Sequence, residues 1–250
     1  DIATELMEGG VVPFLGLREA LAATEAAANL SVPRPDPVCL PGTTPPTQTL
    51  TEANSKQALV DHGVQVPQNR SVKGATAITT AATELRPPFA IKGVGMAHKS
   101  DHAAVHLDVR PEDVLAIANS IGTDEVLIEE MITGSVAELL VGVTRDAAHG
   151  YVLTLGAGGV LTEILRDTAS LLLPVQPADI RTALGTLNCA PLLAGYRGKP
   201  AANMTAIVEA VLAVQSYVLA NAETVSEIEI NPLLCTPDQA VAVDALIRKA

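Results

Sequence analysis

The sequence predicts an α+β protein, and two observations carry that reading. Stretches with strand character cluster in runs instead of alternating one-for-one with helices, which argues against a parallel βαβ sheet. The composition is 48% hydrophobic but only 2% aromatic, with no tryptophan, so the core has to be built from Leu, Ile, Val and Ala. With 250 residues there is enough chain for two modest lobes.

Taken in order, residues 1–30 read as the end of another domain, with a strand at Gly10–Phe14 and an alanine-rich helix at Leu17–Ala28. Residues 31–50 are rich in Pro and Thr without periodicity, the mark of an extended linker. The compact unit starts near Thr51, which is placed to cap a helix carrying Lys56 and Leu59 and ending at Gly63. A short strand at Val64–Pro67 is followed by strands at Phe89–Lys92 and Val105–Val109, and then by a helix opened by Pro111 and closed at Gly122. These elements define a first lobe, 51–125.

The second lobe, 126–250, opens with strands at Val126–Glu130, Ala137–Arg145, Tyr151–Gly156 and Val160–Leu165. Helices follow at Pro177–Leu187 and Asn203–Ala222, the second with apolar residues at helical spacing. A hairpin, Ser226–Leu234 with Ala240–Ile247, ends the chain, and its turn Thr236-Pro237-Asp238-Gln239 fixes the register so that Asn231 faces Asp244.

Charge narrows the function. The formal net charge of −12 repels nucleic acid and anionic membranes, so neither is expected as a partner. Cys39, Cys189 and Cys235 are widely spaced and odd in number, which favours reduced thiols and a cytoplasmic location. No apolar run is long enough for a membrane span.

The densest chemistry lies in Phe89-Ala-Ile-Lys-Gly-Val-Gly-Met-Ala-His-Lys-Ser-Asp101. A lysine on a strand wants an anion, and Gly93 and Gly95 let backbone N–H groups approach one, so Lys92 reads either as a phosphate ligand or as a snorkelling surface lysine. His98, His102 and His106 are spaced as on a helix, but the alternation from Val105 to Val109 is a strand, which excludes a zinc ladder. On the terminal hairpin Glu229 shares a face with Asn231. Together with Asp244 these offer a few hard oxygen ligands suited to Mg²⁺, or else a solvated polar face. Gly156-Ala-Gly-Gly159 lacks both phosphate-loop fingerprints and is either a backbone cradle or a tight turn between strands. Glu129, Glu130 and Glu138 are acids at strand ends.

In this order, Phe89–Lys92, His98–Asp101, Val126–Met131, Ala137–Asp146, Gly156–Gly159, Ala190–Gly198, Glu229–Leu233 and Asp244 resemble the ATP-grasp domain of NDP-forming acyl-CoA synthetases, relatives of the succinyl-CoA synthetase β chain. The resemblance covers residues 51–250, and residues 1–30 look like the end of a CoA-ligase portion. It implies two α+β lobes gripping ATP and Mg²⁺, with Lys92 on the phosphates and Lys99, Gly158 and Gly159 beside the nucleotide. It also implies Glu129 and Glu138 toward the ribose and adenine, and Asn231, Asp244 and Glu229 at the metal. His98 matches a histidine that accepts a phosphoryl group. The implied activity is ADP-forming acid–CoA ligation, with a CoA-ligase domain or subunit holding the CoA and carboxylic acid sites, and with room for a homo-oligomer. The alternatives are a nucleotide-sensing module of a fused acyltransferase or another ATP-grasp ligase.

Overall fold

The computed structural model describes every residue except 1, 15, 29–36, 96–103, 160, 161 and 163–165. The chain divides into one unit from Asp1 to Pro37 and a larger one from Val38 to Ala250. In the first unit, helices α1 (Ile2–Glu8) and α2 (Leu17–Ala28) bury none of their residues. The expected helix from Leu17 is present with the expected bounds. The expected strand at Gly10–Phe14 is not, because among the described residues no neighbouring strand offers its backbone a ladder.

The larger unit is built on two antiparallel sheets. In the smaller, β2 (Asn69–Val72), β3 (Phe89–Gly93), β4 (Val105–Val109) and β5 (Val126–Glu130) lie in the order β2-β5-β3-β4. Helices α4 (Ala75–Glu84) and α5 (Val114–Ser120) cover one face, where Ile78, Ala81, Val114 and Ala118 pack on Phe89, Ile91, Val126 and Ile128. Strand alternation then sends Lys92 and Glu129 to the opposite face. Ala90 is paired with Glu129 and Lys92 with Leu127, so Lys92 and Glu129 are diagonal neighbours there.

The larger sheet holds β1 (Gln48–Thr49), β6 (Ala137–Asp146), β7 (Gly150–Ala157), β8 (Thr168–Leu172), β9 (Val225–Cys235), β10 (Ala240–Ala242) and β11 (Ala245–Lys249). Their order is β1-β11-β9-β6-β7-β8, with β10 also paired to β9. Helices α3 (Glu52–Val60), α6 (Pro177–Thr186), α7 (Ala190–Leu193) and α8 (Met204–Ala220) accompany it. Ile207, Val211, Val214 and Val218 of α8 join Leu139, Leu153, Ile228 and Ile230 in a single core. Gln215 fastens this helix by accepting from the Val175 N–H and donating to the Val175 carbonyl.

Three boundaries differ from expectation. Val126–Glu130 does not open the second lobe, because it is the central partner of β2 and β3 in the small sheet. Conversely, α3 does not belong with the first lobe: its Leu59 is fully buried in the large core, beside α8 and β11. Nor are residues 38–50 a free linker. Cys39 and Gly42 donate to the carbonyls of Leu173 and Ala222, Arg145 donates to the carbonyls of Gly42 and Thr44, and β1 pairs with β11. A proline-rich strap has few N–H donors, so an arginine that supplies donors to its carbonyls ties it down well. Gly150 is required beneath it: its φ is +87°, and a Cβ there would stand 2.6 Å from the Cys39 carbonyl oxygen.

The strand expected at Val160–Leu165 falls mostly outside the described residues, and the one described residue between Val160 and Leu165, Thr162, is helical. The strand that returns beside β7 is β8. Strand β2 and helix α4 had no expectation, since their Thr- and Ser-rich stretch carries little apolar periodicity. No described helix is long and apolar enough to cross a membrane.

Tyr151 pins the large sheet from within. It is fully buried, its hydroxyl lies 2.6 Å from the Val225 carbonyl and 2.9 Å from that of Ala222, and burial pushes its pKa up to about 12. Replacing Tyr151 with Phe removes the hydroxyl donor from the Val225 carbonyl, while the Ala222 carbonyl keeps the Gly42 N–H, and denaturant unfolding should register a loss of about 1–2 kcal/mol with an unchanged m-value.

Candidate functional site

Glu52 lies in the first turn of α3, four residues before Lys56, the favourable orientation for a helical ion pair. Thr51 caps the helix by accepting from the Asn54 N–H, as its sequence position implies. Because Lys56 is three residues from Leu59, it lies on the helix's buried face, and it is only 1% exposed.

This arrangement brings two lysines and two glutamates together between the sheets. Lys56 Nζ donates to Glu52 Oε1 and to Glu129 Oε1, both at 2.7 Å. Lys92 Nζ donates to Glu52 Oε1 at 2.8 Å and lies at an ion-pair distance of 2.9 Å from Glu129 Oε2, without a well-directed hydrogen bond. Lys92 is 6% exposed and Glu129 1%, and among the described residues the four side chains form a ring with little water around it. Burial opposes the Lys92 charge, but Glu129, Glu52 and Asp244 together outweigh it and hold this ammonium above the usual lysine range. Lys56, buried and next to Lys92, is held below that range, yet its two short contacts to carboxylates are those of an ammonium.

Lys92 also donates to the carbonyl of Val243, the residue before Asp244. That bond carries the small sheet to the terminal hairpin, whose register is the expected one: Cys235 faces Ala240 and Ile230 faces Ala245, which sets Asn231 opposite Asp244. On its other side β9 has an extra residue against β6, between the pairs Leu139–Leu233 and Val141–Ile230, and Asn231 lies in this bulge. Its Oδ1 accepts from the Gly159 N–H at 2.9 Å, and its side chain also bonds Glu229.

The sequence-predicted residues that the structure describes therefore converge. Gly158 and Gly159 follow β7, where Gly158 N–H donates to the Glu138 carbonyl and a Cβ on Gly159 would collide with the Glu138 carboxylate. Gly159 has φ of +81°, a conformation that favours glycine. These glycines are not a tight hairpin turn, since the paired strand resumes only at Thr168. Glu129, which the resemblance places toward the ribose and adenine, has its carboxylate between Lys56 and Lys92. His98 and Lys99 lie outside the described residues. Sequence reasoning missed Glu52 and Lys56 as site residues, although a lysine three positions from a buried leucine on a short capped helix was a usable signal.

Among the described residues no three His, Cys, Asp or Glu side chains form a group able to hold a metal ion. The candidate set is instead two carboxylates and a carboxamide, Glu229, Asp244 and Asn231. Such a sparse, hard set fits Mg²⁺, which keeps waters and phosphate oxygens as its remaining ligands. Burial first, then Glu227 and Asp244, raise the Glu229 carboxyl above its ordinary range, while Asn231 pulls the other way. This concentration of negative charge is what a cation would relieve.

An ATP-grasp domain model matches residues 44–248. Among characterised proteins, the chain is 31% identical over 229 residues to a trans-feruloyl-CoA synthase from an unknown prokaryotic organism, covering 85% of this chain and 32% of that protein. It is 30% identical over 214 residues to the β subunit of ADP-forming acetate–CoA ligase II of Pyrococcus furiosus, covering 79% of this chain and 90% of the subunit. The chain thus spans about a third of the first relative and nine-tenths of the second. A crystal structure from Pyrococcus horikoshii superposes with a TM-score of 0.74 at 28% identity, covering 81% of this chain and 92% of that one. An acetyl-coenzyme A synthetase of Ca. Korarchaeum cryptofilum, in complex with coenzyme A and Mg-AMPPCP and with its phosphohistidine segment pointing towards the nucleotide binding site, gives 0.71 at 25% identity, covering 81% and 93%.

A carboxyl whose pKa is raised by folding costs stability while ionised, and that cost vanishes as pH falls through the raised pKa. Without divalent cation, Glu229→Gln should therefore raise the thermal midpoint around pH 7 and have little effect around pH 4. Thermal unfolding with and without Mg²⁺ checks the other half of the expectation: the variant should lose most of the cation's stabilising shift.

Proposed function

Because this chain belongs to the ATP-grasp domain family, we propose that it is the nucleotide-binding half of an ADP-forming acyl-CoA synthetase. The overall reaction joins a carboxylic acid and CoA at the expense of ATP, releasing ADP and phosphate. ATP is bound between the two sheets, and the CoA and acyl sites belong to a partner CoA-ligase domain or subunit. Residues 1–30 are then the end of such a portion. The naming of similar proteins as ADP-forming ligase subunits and acyl-CoA synthetases supports this reading.

The observation that carries the reading is the meeting of Lys92 with the Asn231–Asp244 register point, reached from separate sheets. A triphosphate needs a cation on its oxygens and a metal neutralising them from another side, and the two halves of that requirement come from different lobes. Lys92 anchors the phosphates. Asn231, Asp244 and Glu229 hold Mg²⁺, which when bound supplies charge neutralisation at the phosphate oxygens. Gly158 and Gly159 offer close backbone approach, and Glu138 beside them accepts from the nucleoside end.

His98, a few residues beyond Lys92 in the chain, is the phosphoryl acceptor. A free ring nitrogen attacks the γ-phosphorus, the bond to the β–γ bridging oxygen breaks, and ADP leaves with that electron pair. No external base is required if the attacking nitrogen carries no proton. The phosphorylated ring then passes its group to the acyl side, where the carboxylate becomes a good electrophile for the CoA thiol.

With γ-labelled ATP and Mg²⁺, the full-length protein should acquire acid-labile, alkali-stable label, and His98→Ala should abolish it. Label that persists in the variant would remove the histidine assignment, and Lys92→Ala should reduce labelling by about a hundredfold if the phosphates lose their anchor.

A further inference from the structure

The buried ring raises an electrostatic difficulty that the proposed function leaves open. Lys92 faces two carboxylates, Glu52 at 2.8 Å and Glu129 at 2.9 Å. With only these three side chains the group would carry a net negative charge just where a triphosphate must dock. Lys56 changes that sum. It reaches both carboxylates at 2.7 Å from the far side of the ring and makes the four side chains neutral overall. A phosphate approaching Lys92 then meets an ammonium whose two partners already have a second cation.

We propose that Lys56 is a positioning residue for nucleotide binding, acting through Glu52 and Glu129 to leave the Lys92 ammonium available to the phosphates of a nucleoside triphosphate. It touches neither substrate nor metal. Three observations support the assignment. Lys56 is nearly as buried as Leu59 on the same helix, which no solvated surface lysine would be. Its bonds are to the two carboxylates that hold Lys92, and to both of them. It also comes from the other body of the fold: α3 packs beside β11 and α8, whereas Lys92 and Glu129 are on the small sheet. The ring consequently fixes Lys92 relative to the hairpin bearing Asn231 and Asp244. Asp244 also bears on Lys92, but it belongs to the candidate metal set, where a divalent cation balances its charge.

The inference rests on the reading of Lys92 as a phosphate ligand, and a charge series separates the two. The probe is the methylene-bridged ATP analogue with Mg²⁺, titrated calorimetrically into the full-length protein, with adenosine as a ligand that has no phosphate. Lys56→Met makes the ring negative and should weaken analogue binding about tenfold, Glu52→Gln makes it positive and should leave binding equal or tighter, and the double variant should return to within about twofold of the parent. Adenosine affinity should stay level throughout. If Lys56→Met does not fold, Glu52→Gln and the double variant still decide the matter. Weakening by Glu52→Gln, or a double variant no better than the worse single one, means a merely structural role and overturns the proposal. Lys92→Met is the reference. Unchanged analogue binding there defeats the phosphate reading itself, whereas lost binding there with a flat Lys56 series defeats this inference and leaves that reading standing.

Discussion

Two ammonium groups and two carboxylates, each with almost no exposed surface, share one ring between the sheets, and the rest of the site is arranged around it. Removing ions from water costs several kcal/mol apiece, so such a cluster persists only if every charge has more than one partner at close range. Each lysine here touches both carboxylates, and each carboxylate touches both lysines. The arrangement constrains the fold in turn, because its members come from α3, β3 and β5 and it closes only when the small sheet and α3 meet in one relation.

From that ring the second half of the site follows by a single bond, from Lys92 to the Val243 carbonyl. The connection between β10 and β11 therefore belongs to both lobes: its backbone receives Lys92 while Asp244 faces Asn231. The bulge in β9 matters for the same reason. An ordinary alternation would have kept β9 in step with β6, whereas the extra residue leaves Asn231 out of that pairing, where its amide oxygen meets the Gly159 N–H. Glycine with positive φ at 159 and an acid at 138 then pack within the space that a side chain would have filled.

Much of this was legible in the chain. The hairpin register could be read because a turn of known length and an apolar stripe leave one pairing that buries Ile228, Ile230 and Ile247 together. The strand Phe89–Gly93 and helix α8 were equally plain, since their periodicities match burial on one face or nearly all around. Strand β2 and helix α4 were not, because Thr, Ser and Ala give no strong period and their placement depends on β5 and the helix α5 beside them. The strap at residues 38–50 looked like a linker for a similar reason. Proline and threonine carry no pattern of their own, and its anchors, Arg145 and Leu173, are distant in sequence.

By itself, the sequence determined the chemistry available: an acidic, aromatic-poor α+β chain, one lysine on an apolar strand, and an Asn–Asp pair set opposite each other by local turn geometry. These are properties of short segments, where periodicity and steric rules act over a few residues. Only the tertiary structure decided that α3 crosses to the large sheet, that β5 stays with the small one, and that Glu129 holds lysines. Those choices turn on which buried charges and apolar faces find partners far along the chain, and that energy exists only once the two sheets have come together.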